Sequence, residues 1–126
     1  MVLEAWGPDL ASCCEEAVAA LVAVYAEPAR RAAVGHRDVH LPPAPDEALL
    51  LDVLDEVIFT LDTAEGAVPV AARVRSAVDG GLDVTLALAD RDHVEGTGAV
   101  PKAISHSELS VVAAGDGTRC HLLIDV

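Results

Sequence analysis

Apolar residues recur at three- and four-residue steps in two stretches of the chain and at two-residue steps in several others, and these two periods separate helices from strands. Leu10, Cys13, Cys14, Ala17, Val18, Leu21, Val22 and Tyr25 form the first helical series. Gly7-Pro8-Asp9 precedes it as a turn and N-cap, Glu15 and Glu16 stand in its early turns where the helix dipole favours negative charge, and Pro28 lies past its end. Leu49, Leu50, Val53, Leu54, Val57, Ile58 and Leu61 form the second series, with Asp52, Asp55 and Glu56 on its opposite or flanking faces. Pro42, Pro43 and Pro45 make a stiff lead into it, and Asp46 is the expected N-cap.

Elsewhere the alternation is that of strands: VLEAW (2–6), HRDVHL (36–41), PVAARVR (69–75), LDVTLALA (82–89), KAISHSELSVVA (102–113) and RCHLLIDV (119–126). Asp79-Gly80-Gly81 and Gly115-Asp116-Gly117 are hairpin signals, AEG (64–66) ends the second helix, and the polar, glycine-bearing RDHVEGTGA (91–99) reads as an exposed loop. The order β-α-β-α-β-β-β-β predicts a single α+β domain over 1–126, with two helices packed on one face of a mainly antiparallel sheet.

Composition narrows what such a domain can do. The residues are 52% hydrophobic but only 2% aromatic, so Leu, Val, Ala and Ile must fill the core around Trp6, Tyr25 and Phe59. With 21 acidic against 8 basic residues the formal charge is −13, and neither a basic groove nor stacking platforms are at hand for RNA or DNA. No direct nucleic-acid binding is expected; a basic protein partner or a divalent cation suits the charge better. No apolar run reaches the roughly 20 residues of a membrane span. No signal-peptide pattern is present, and Cys13, Cys14 and Cys120 are an odd number without CxxC spacing, so a reduced, cytoplasmic protein with no membrane association is expected.

No GxSxG, HExxH, P-loop or GxGxxG motif appears. His36 and His40 have the even spacing of two zinc ligands on one strand face, a spacing that exposed strand histidines satisfy equally. Asp90, Asp92 and Glu95 could hold a hard cation in the polar loop, where solvated acids are the simpler reading. Asp125 differs, because it follows the apolar run LLI and on a paired strand would lie beside the chain-end carboxylate. Lys102 differs too, as the only lysine among the basic residues.

Four stretches in order, EAWGPDL (4–10), ALLLDVLDEVIFTLDT (48–63), VPKAISHSEL (100–109) and LLIDV (122–126), resemble the archease family. The resemblance implies a small metal-binding accessory protein, not itself an enzyme. Its partner would be an RNA-splicing (tRNA) ligase, whose GTP-dependent guanylylation it promotes. Lys102 aligns with the family's functional lysine, Asp125 with a metal-ligating carboxylate, and Val126 with the residue whose main-chain oxygen completes the metal site. The implied cofactor is a divalent ion, calcium, magnesium or manganese. Its binding should be weak, because the family's His-Thr-Ala-Asp motif, which carries another ligand, is not matched before Met1; Glu4 points along the same strand without matching it. Ser107 stands where the family has a histidine, so that histidine's role does not carry over to His106. Another class of protein that the acids would serve is a metal-dependent hydrolase or nucleotide-handling enzyme using Asp125, Asp90 and Asp92, and a third is a metal-free interaction module.

Overall fold

The computed structural model describes residues 1–26, 34–94 and 100–126. Its elements are β1 (Val2–Gly7), α1 (Leu10–Tyr25), β2 (Gly35–Leu41), α2 (Asp46–Thr63), β3 (Ala67–Ser76), β4 (Leu82–Asp90), a 3-10 turn (Arg91–His93), β5 (Ala103–Ala114) and β6 (Gly117–Asp125). This is the predicted α+β order. The strands divide into two three-stranded antiparallel sheets, β1-β6-β5 and β2-β4-β3. Each is a hairpin of consecutive strands, β5-β6 or β3-β4, joined on its far side by a strand from the first half of the chain. The 3-10 turn at the start of 91–99 is an addition to the loop reading, and residues 95–99 lie outside the described residues.

Both helices contact both sheets: α1 packs on β1, β6 and β3, while α2 packs on β5, β3 and β4. The helical stripes are therefore the centre of the core. Cys13, Cys14, Val18, Leu21, Leu50, Val53, Leu54 and Val57 are all inaccessible to solvent, as are Leu86 and Leu122 from the sheets. The two cysteines do serve as small apolar fillers, and burial pushes the thiols of Cys14 and Cys120 up to about 12.

Local chemistry sets the element ends. The Asp9 side chain accepts from the Ser12 N–H at 2.8 Å and caps α1 as expected. Gly7 before it is needed for contact, since a Cβ there would lie 2.5 Å from the Cys13 nitrogen. The expected cap of α2 is displaced by one residue: Pro45 holds the N-cap position, and Asp46 stands with Glu47 in the first turn without a side-chain cap bond. Proline's fixed φ starts the helix, and the two acids meet the dipole instead. Glu15 has a different role from the dipole one its position suggested. Its Oε1 accepts from the Val74 N–H of β3 at 2.7 Å, satisfying an amide on an edge strand of the second sheet. Nearby, the pairing of β3 with β4 slips between Pro69 and Ala71, and the buried Tyr25 hydroxyl donates to the Pro69 carbonyl.

Candidate functional site

The strand β6 is central in its sheet and ends at Asp125. On one side Ala103 is its register partner, and the N–H of Lys102 just before β5 donates to the Asp125 carbonyl at 2.7 Å. On the other side the Ile124 N–H donates to the Met1 carbonyl at 2.7 Å, so β1 begins beside the same strand end. The β5-β6 hairpin thus brings Lys102 to Asp125 and Val126, and all three are exposed. Antiparallel pairing returns the end of the second strand to the start of the first, and a three-residue shift of register within β5 is what sets Ala103, rather than residue 106, opposite Asp125.

Between Ser105 and Ser110 the register of β5 against β6 shifts, and four residues on β5 face one on β6. The even alternation expected across 102–113 is therefore interrupted at HSEL, and Ser105 and Ser107 bring their hydroxyl oxygens to 3.2 Å of one another. Such an interruption ends strict alternation, which is why face assignments from Lys102 onward cannot be read from parity alone.

For a metal ion, Asp125 offers one carboxylate and Val126 a main-chain oxygen. Among the described residues no three His, Cys, Asp or Glu side chains come together to hold an ion. The residues present fall short of the 6–8 oxygens that calcium takes. Glu4 does not make up the difference, because it pairs with His121, which lies four residues and about 13 Å along β6 from Asp125.

The other predicted candidates separate from this site. His36 and His40 do share the outer face of β2, but four strand residues span about 13 Å, too far for two bonds of about 2 Å to one zinc. His40 is instead held through both ring nitrogens, Nδ1 at 2.7 Å from Asp83 and Nε2 at 2.8 Å from Asp79. Since carboxylates accept only, this arrangement suits the imidazolium, and the two acids raise the pKa of His40 above 6.5. The Asp79 carboxylate, held by the Gly81 N–H, is lowered. Sequence reading missed this clamp, although the paired positions His40 and Asp83 follow from strand register. In the polar loop, the Asp90 carboxylate accepts from the Asp92 N–H at 3.0 Å, while Glu95 lies outside the described residues.

The model of the Archease protein family matches this chain over residues 1–126. Two strains of Mycobacterium tuberculosis each have a protein described as "probable protein archease" that is 41% identical over 124 residues, a match that covers 98% of this chain and 68% of theirs. Among solved structures, an archease from Thermotoga maritima described as a possible chaperone superposes with a TM-score of 0.72 at 19% identity, covering 100% of this chain and 90% of that one. The solution structure of Methanobacterium thermoautotrophicum protein 1598 gives a TM-score of 0.68 at 21% identity, covering 99% and 91%. These last two likenesses show the shared fold.

Proposed function

Because this chain belongs to the archease family, we propose that it is a non-catalytic accessory protein that activates an RNA-splicing (tRNA) ligase, promoting guanylylation of that ligase by GTP. The observation that carries the reading is the hydrogen bond from the Lys102 N–H to the Asp125 carbonyl, which ties the lysine strand to the closing strand at one exposed sheet end. Two residues of opposite charge from the two ends of one hairpin then share one surface. The ammonium of Lys102 is a compact, strongly hydrated charge on a flexible stem, suited to a phosphate group or a carboxylate of the partner during guanylate transfer. Asp125 and the main chain at Val126 would hold a divalent ion together with oxygens from water or the partner, and such an ion supplies charge neutralisation next to phosphates. Lys102 needs no ion to act as a phosphate contact, so the two roles can be separated.

The test is guanylylation of the cognate ligase with GTP in the presence of wild-type protein, Lys102→Ala or Lys102→Arg. Lys102→Ala should fold normally, because an exposed lysine contributes at most about 1 kcal/mol, yet activation should fall sharply. Lys102→Arg should restore only part, since a planar fork replaces a point charge. Full activation by Lys102→Ala would remove the residue from the mechanism, and GTP or phosphoester turnover by the isolated protein would favour the hydrolase reading instead.

A further inference from the structure

The outer face of the β1-β6-β5 sheet carries exposed apolar side chains beside an arginine. Register places Trp6, Arg119 and Val112 in one row across the three strands, and Glu4, His121 and Ser110 in the next. Trp6, the only tryptophan, is 47% exposed, and Val112 beside Arg119 is 59% exposed. These six residues line a concavity of about 580 Å³. The indole is held in place from below: a Cβ at Gly117, whose φ is 149°, would meet Trp6 Nε1 at 2.9 Å and the Gly7 carbonyl oxygen at 2.5 Å. Tryptophan and arginine are both over-represented where protein interfaces concentrate their binding energy.

We infer that this face is the docking surface for the protein partner of the preceding section, which presents an apolar pocket for Trp6 and Val112 bordered by a carboxylate for Arg119. The inference rests on the accessory-protein reading and deepens it. Charge selects the occupant. Arg119 brings a guanidinium to the concavity, flanked by Trp6 and Val112, two apolar groups that would exclude water from its ion pair. Continuity does so too. Arg119, His121, Leu123 and Asp125 lie at alternate positions of β6, so one strand face runs from the Trp6 row to the Asp125 end, roughly 20 Å away. A partner seated on Trp6 would span to Lys102 and Asp125 within an interface of standard size.

The test uses the cognate RNA-splicing ligase and this chain labelled with 5-fluorotryptophan, which gives a single fluorine reporter. Adding ligase should shift and broaden the Trp6 resonance. Val112→Asp and Arg119→Glu, both at exposed positions and checked for folding by circular dichroism, should each weaken ligase binding on the order of tenfold or more. Trp6→Ala should do the same, and the two other variants decide the matter if its loss disturbs the Gly117 contact. Lys102→Ala should lose activation while weakening binding less than Val112→Asp or Arg119→Glu, which separates docking from chemistry. Unchanged affinity in Val112→Asp and Arg119→Glu overturns the docking surface alone. A wild-type protein that binds no ligase overturns the accessory reading and the surface with it. Sedimentation showing a dimer that Val112→Asp dissolves would assign the face to a second copy and also overturn the proposal.

Discussion

His40 sits between two carboxylates, and its protonation should be coupled to folding. The hydrogen bonds it donates, first to Asp83 and then to Asp79, raise its pKa from 6.5 in the folded state. A raised histidine contributes stability that is fully present below the unfolded value and is lost as pH rises through the folded one. We therefore expect proton NMR to give His40 a midpoint above 6.5, and urea melts to show stability falling as pH increases across that midpoint. Asp79→Asn should lower the midpoint and flatten the dependence; a midpoint at or below 6.5 in the wild type would mean the clamp is open in solution. The clamp faces solvent, so salt should weaken the effect.

The second helix tests the core directly. Leu54 is completely buried at the centre of its stripe, and Leu54→Ala should cost about 2–5 kcal/mol in a urea melt. A loss below about 1 kcal/mol would mean that the stripe does not pack as described. Thr60 on the same helix is 1% exposed, and its hydroxyl oxygen has no hydrogen-bond partner among the described residues. Thr60→Val keeps the shape and removes a desolvated polar group, so it should stabilise the protein by about 1 kcal/mol; a destabilisation would reveal a partner for that hydroxyl. The helical stripes were legible because their 3.6-residue period persists over four to five turns. The exchange of Asp46 for Pro45 at the α2 cap and the role of Glu15 on β3 were not, since each depends on how the helix meets a neighbour.

Taken as a whole, a chain of charge −13 repels itself. Screening should relieve this, so the thermal midpoint should rise between low salt and about 0.5 M NaCl, where the Debye length is only a few Å. Divalent binding at Asp125 should be weak in calorimetric titrations with calcium, magnesium or manganese, because water must complete the oxygen set. Tight binding that survives Asp125→Ala would place the ion elsewhere.

The order of elements, the two buried helix faces and both hairpins are properties of local pattern and turn chemistry, and the sequence by itself determined them. Periodicity is a short-range signal, and a hairpin needs only a turn and two strands of matching alternation. Tertiary structure alone decided that the strands form two sheets around the helices, that β5 breaks its register between Ser105 and Ser110, and that His40 closes onto Asp79 and Asp83. It also decided that Trp6 lies on Gly117 in the same row as Arg119 and Val112. Each of these depends on which surfaces meet after the chain has folded back on itself. Long-range pairing of that kind is chosen by the summed burial of the whole core, and no single segment of the sequence carries it.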